Sequence, residues 1–151
     1  MNQNETITMR GDVRIWIEDD NGKRVLHEEK KNLIVNGGKT LMAKLLGGDA
    51  AYKNLEHLAK IAFGTSATAA AVTQTSLLTE ILVKAATVSY PAFNQVRFTA
   101  TMESAEGGSS TYQEIGLKSD ATGILFSRLV ISPIVKSSAY KITVEWTISF
   151  Q

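Results

Sequence analysis

The sequence predicts a mainly β protein: an antiparallel β-sandwich, or an open barrel, with one or two short helices and an N-terminal arm and hairpin. Three observations carry this. Lys141–Phe150 alternates strictly, Ile142, Val144, Trp146, Ile148 and Phe150 opposing Thr143, Glu145, Thr147 and Ser149. From Val83 onwards nearly every segment reads as a strand, separated by short polar or glycine-rich turns that imply antiparallel neighbours. Near the start, Asp12–Glu18 sets Val13, Ile15 and Ile17 against Arg14, Trp16 and Glu18, the pattern of a half-buried strand.

Each element follows from its local chemistry. Residues 1–10 are polar without a sustained period and read as a flexible arm, leaving 11–151 as one β-rich domain. Asp19-Asp20-Asn21-Gly22 is a turn, and Lys23–Glu29 returns as the second strand of a hairpin. Asn32–Val35 is a short apolar piece broken by Asn36-Gly37-Gly38. Lys39–Leu46 reads as a helix burying Leu41, Met42, Leu45 and Leu46, stopped by Gly47-Gly48.

Leu58–Phe63 is a strand. Thr65–Ser76 is a small-residue surface loop, with Thr75 or Ser76 capping a short helix over Leu77–Ile81. Lys84–Tyr90, Asn94–Glu103, Tyr112–Lys118 and Ile124–Ile131 complete the strands before the last one. The turns between them lie at Pro91, Ala105–Ser110, Ser119–Gly123 and Lys136–Ala139. In Asn94–Glu103 the inward set is Val96, Phe98, Ala100 and Met102.

Composition narrows the function. The chain has 151 residues, 44% hydrophobic and 21% charged, enough for a real core without staples. With 16 basic and 15 acidic residues the net charge is +1, so neither nucleic acid nor an anionic membrane is an expected partner. The same balance leaves little repulsion between identical copies. No cysteine is present, which removes disulfides, thiol nucleophiles and Cys-based zinc sites. The N-terminus lacks the basic start and apolar centre of a secretion signal, and no apolar run approaches the ~20 residues of a membrane span. A soluble chain is expected.

No residue set forms a recognisable catalytic group, and no cofactor is implied. His27 lies in a charged run, and His57 beside Glu56 has no partner pattern, so both read as ordinary surface residues rather than a base or a metal ligand. Asp19–Gly22 resembles the start of a calcium loop, but position twelve from Asp19 is Lys30, where a bidentate Glu is required. Gly38-Lys39-Thr40 resembles the end of a phosphate-binding loop, but position 33 is Leu where that loop needs Gly. Trp16, on the polar face of its strand, is the one candidate interface residue, because exposed tryptophan is favoured at protein contacts. Trp146 belongs to the core face.

Three stretches stand out when taken in order. The first is Asn32-Leu33-Ile34-Val35-Asn36-Gly37-Gly38 with the helix after it. The second is Lys60-Ile61-Ala62-Phe63-Gly64-Thr65-Ser66, the Ala/Thr stretch and Leu77–Ile81. The third runs Phe98-Thr99-Ala100-Thr101, Gln113-Glu114-Ile115-Gly116-Leu117, Gly123-Ile124-Leu125-Phe126-Ser127-Arg128 and Pro133-Ile134-Val135-Lys136, ending in Thr143–Phe150. Together and in this order they resemble small virion structural proteins of tailed bacteriophages, of the tail, collar or fibre-base type; the hairpin Asp12–Glu29 lies outside them.

The resemblance implies a β-sandwich-like subunit with no catalysis, made in the host bacterial cytoplasm and residing in the virion. Its partners would be copies of itself and other virion proteins of the tail, collar, neck or baseplate. A capsid decoration or head-fibre protein is the alternative on the same fold. A carbohydrate-binding module is the other, with Trp16 and Tyr112 or Tyr52 as a platform for a host-surface glycan.

Overall fold

A computed structural model of the protein describes residues 6–54 and 56–151. Two five-stranded antiparallel sheets pack face to face, so the sandwich reading holds over the open barrel. The strands are β1 Met9–Asp19, β2 Arg24–Lys31, β3 Leu33–Ile34, β4 Leu58–Gly64, β5 Glu80–Ala85, β6 Thr87–Ser89, β7 Gln95–Met102, β8 Thr111–Ser119, β9 Leu125–Val135 and β10 Tyr140–Phe150. One helix, α1, spans Asn36–Leu46. The first sheet has the order β2-β1-β10-β7-β6 and the second β3-β9-β8-β4-β5.

The last strand sits at the centre of the first sheet. β10 pairs with β1 over its whole length, from Met9 opposite Phe150 to Asp19 opposite Tyr140, and with β7 on its other side. Its apolar face meets the second sheet: Ile142, Val144, Trp146 and Ile148 are buried and Phe150 is half-buried. Val13 and Ile15 of β1 join them, as do Phe98, Ala100 and Met102 of β7. The opposing layer is Ile61, Phe63, Tyr112, Ile115, Leu117, Phe126, Leu129 and Ile131. At roughly 1.5–3 kcal/mol for each fully buried large apolar side chain, this shared layer is what holds the sheets together.

Several boundaries differ from those expected, each for a physical reason. The first strand starts at Met9, so the end of the expected arm is sheet; Thr8 also exchanges backbone hydrogen bonds with Gln151. Residues 1–5 lie outside the described residues. The helix begins at Asn36, because Gly37 and Gly38 form its first turn rather than a break. Leu41 is buried and Met42 and Leu45 pack on the core, but Leu46 is 92% exposed.

There is no helix over Leu77–Ile81. The backbone N–H groups of Leu78 and Thr79 bond to the Glu114 carboxylate, and the β-branched Ile81 and Val83 then lie in β5. The expected strand Lys84–Tyr90 is divided, because the chain passes from one sheet to the other at Ala86. β9 continues through Pro133 to Val135, along a stretch that no strand among the described residues pairs on its outer side. Among the described residues, no helix is long and apolar enough to cross a membrane.

Candidate functional site

The outer face of the first sheet gathers the polar halves of its alternating strands. Register places Asp12 opposite Thr147 and Thr147 opposite Arg97, while Arg14 faces Glu145 and Trp16 faces Thr143. A polar cleft of about 230 Å³ results, lined among others by Arg10, Arg14, Gln95, Arg97, Glu145 and Ser149. Its carboxylates are already matched by arginines. Arg10 lies 2.8 Å from Asp12, Arg14 3.4 Å from Glu29, and Arg24 2.7 Å from Glu145. Arg97 donates from Nε to the Thr147 hydroxyl at 3.0 Å.

Trp16 stands on this face, half-buried rather than open. The Arg24 guanidinium lies 4.5 Å from its ring centroid and is held there by Glu145. Its Nε1 is buried and meets no protein acceptor among the described residues. The ring is thus roofed by a cation. Tyr112, the second platform candidate, is a correction: it is fully buried, donates its hydroxyl to the Gly107 carbonyl at 2.9 Å, and packs edge-on against Phe63. Burial pushes its phenol pKa up. Tyr52 is half-buried, with the Lys44 ammonium 5.9 Å from its ring.

The chemistry missed in the sequence is inside. Glu114 of β8 and Arg128 of β9 are both fully buried and lie 2.8 Å apart. Glu114 also accepts the backbone N–H of Leu78 at 3.1 Å, of Thr79 at 2.7 Å and of Ser66 at 3.4 Å. Arg128 donates from Nη1 to the Thr68 carbonyl at 2.9 Å and to Gln74 Oε1 at 3.1 Å. The pair therefore binds both ends of the loop between β4 and β5. One signal for it was readable: two opposite charges sit among the apolar residues of one hairpin, and its register puts Gly116 opposite Arg128, with Glu114 diagonal to it.

Two further buried charges anchor loops. Desolvation pushes the Glu56 carboxyl up, but hydrogen bonds from Ser119 and Thr122 and the charge of Lys60 outweigh it and hold the group below its ordinary range. Lys136 donates to the carbonyls of Ser104 at 2.9 Å and Ser137 at 2.7 Å; burial lowers its pKa, and Glu106 opposes that shift. Serines surround this lysine, but its hydrogens are directed to backbone carbonyls, an anchoring arrangement rather than that of a base activating a hydroxyl.

The remaining sequence candidates fall apart in space. His27 lies on β2 with Nε2 3.2 Å from the Ser132 carbonyl, and His57 is exposed between α1 and β4. Asp19 Oδ1 accepts the N–H groups of Asn21 and Lys23 at 2.9 Å each, closing the turn at Gly22, where φ is 80°. Among the described residues, no three His, Cys, Asp or Glu side chains converge as a metal site would need. Comparison with protein-family models, with curated proteins and with solved structures finds no match to any of them.

Proposed function

We propose that this chain is a non-enzymatic structural subunit of a tailed-bacteriophage virion, a tail, collar, neck or baseplate protein that assembles with copies of itself and with other virion proteins. One observation carries the reading. All four buried charged side chains among the described residues, Glu56, Glu114, Arg128 and Lys136, are engaged in fixing loops to the sandwich. Catalysis needs such groups aimed at a substrate, whereas a scaffold needs them to hold its contact loops in shape. The ordered sequence motifs support the same reading. The first two and much of the third lie on α1 and the second sheet, where Gly38 closes against Phe126.

A carbohydrate-binding role draws less support, since Tyr112 is interior and Trp16 lies beneath Arg24. The test is mass spectrometry of purified particles from the source phage, followed by locating the chain in a particle reconstruction. Density at the tail, collar, neck or baseplate is the expected result. Density on the head surface would move the chain to a decoration or head-fibre role, and absence from particles would overturn the proposal.

A further inference from the structure

An apolar recess of about 370 Å³ opens at one end of the sandwich, between α1 and the first sheet. Its walls are Met42 and Leu45 of α1, Val88 and Tyr90 at β6, Val96 of β7 and Phe150 of β10. Beside it, the turn joining β6 to β7 carries Phe93, which is 103% exposed, and Tyr90, which is 77% exposed. A phenylalanine ring wholly in water, next to an unfilled apolar recess, is a costly arrangement for an isolated subunit.

The turn is firmly held. The Asn94 side chain donates to the Phe150 carbonyl at 2.8 Å, the Phe150 N–H donates to the Asn94 carbonyl at 3.0 Å, and the Gln95 N–H donates to the Ala92 carbonyl at 3.1 Å. Phe150 therefore both walls the recess and anchors the turn that presents Phe93. Knob and recess belong to one rigid frame, so little conformational entropy is lost when the ring is buried.

We propose that the chain forms a two-fold dimer in which Phe93 of each copy fills the apolar recess of the other. The adjacency of knob and recess suits two-fold symmetry. A ring entering a partner's recess brings the partner's ring back to the first recess when the two copies are related by a two-fold axis. The net charge of +1 offers little repulsion to this approach. The proposal names a self-contact for the assembling subunit described above and rests on that reading only for its purpose.

The test is sedimentation equilibrium of the full chain from micromolar to millimolar concentration, with Phe93→Asp beside it. The wild type is expected to dimerise. Phe93→Asp should weaken the dimer by roughly 100-fold or more, since each dimer loses two buried rings. Its far-UV circular dichroism should be unchanged and its melting point should equal that of wild type diluted to the monomer, because Phe93 is wholly exposed in the single copy.

A second arm uses the absence of native cysteine. Phe93→Cys protein mixed with Leu45→Cys protein should give a heterodimer with a short thiol cross-linker. A wild-type monomer throughout the range overturns the proposal. So does a dimer indifferent to Phe93→Asp, which would place the contact elsewhere or leave the recess to another protein. A monomer still found in particles overturns this contact and leaves the virion reading standing.

Discussion

Glu114 and Arg128 lie 2.8 Å apart with no solvent exposure, diagonal to one another on the two strands of the β8–β9 hairpin. Removing one member leaves the other charge buried and unpaired, which costs about 3–5 kcal/mol. Arg128→Met should therefore lower unfolding stability by that amount in a urea titration. The double change Glu114→Leu with Arg128→Met should recover part of the loss, because no lone charge remains. It should not recover all, since the Leu78 and Thr79 N–H groups still lack their Glu114 acceptor, at about 1 kcal/mol for each hydrogen bond lost. An Arg128→Met protein within 1 kcal/mol of wild type by the same titration would contradict this account.

That pair also marks where sequence reading stops. The alternation of β1, β7 and β10 was legible because each has one buried face and one wet face, and a period of two records that difference directly. Thr65–Ser76 was legible as a surface loop from its small polar residues, but the course of Leu77–Ile81 was not, because it is set by a partner far along the chain, Glu114. Local propensity therefore favours a helix where a tethered loop and a strand exist. The same limit applies to Tyr112: an aromatic at the start of a strand gives no sign of which face is covered. Trp16 was correctly placed on the outer face, but its roof, Arg24, comes from the next strand.

Gly38 explains the glycine pair at the start of the helix. A Cβ built on it would lie 2.2 Å from the Phe126 carbonyl oxygen, in the backbone of β9, which cannot step aside cheaply. Gly38→Ala should cost about 1–3 kcal/mol or more, as forced overpacking does. Gly47→Ala is the matched control. Gly47 has φ −77° and its nearest obstacle is 3.4 Å away, so alanine there should be neutral or stabilise by up to about 1 kcal/mol. Thermal unfolding of the two variants should separate them clearly; equal melting points would remove the close-approach explanation.

Glu56 gives a pH signature. Its carboxyl is buried, and although desolvation raises its pKa, the bonds from Ser119 and Thr122 and the charge of Lys60 bring it below the ordinary value. In the acid range the unfolded chain therefore binds a proton more readily at this site than the folded chain does. The stability Glu56 contributes is complete above the ordinary carboxylate value, about pH 4.3, and is lost as pH falls through the lowered folded value. Glu56→Gln should be less stable than wild type near neutrality, with the two urea midpoints converging as pH drops below about 4. A gap that stays constant with pH would show that packing, not ionisation, sets the contribution.

The outer edge of β9 offers the last prediction. Beyond its short pairing with β3 at Ser127 and Arg128, no strand among the described residues covers this edge, yet it is not bare. Side chains from β2, in the other sheet, take the place of a neighbour. Lys30 donates to the Val130 carbonyl at 2.9 Å, Glu28 accepts the Ser132 N–H at 2.8 Å, and His27 Nε2 lies 3.2 Å from the Ser132 carbonyl. An uncapped strand edge is a template for pairing with another chain, and charged side chains laid across it are a known way to prevent that. Replacing His27, Glu28 and Lys30 together by Ala should change unfolding stability by only about 1 kcal/mol, because Lys30 is exposed, His27 and Glu28 are half-buried, and the groups they release at exposed Ser132 can bond to water. It should nevertheless promote association through β9. The measurement is light scattering against concentration in a Phe93→Asp background, which separates edge pairing from the recess contact. If the triple variant scatters no more than its parent, the β2 side chains are incidental to the edge; if it aggregates with its melting point intact, they are what keeps that edge from pairing.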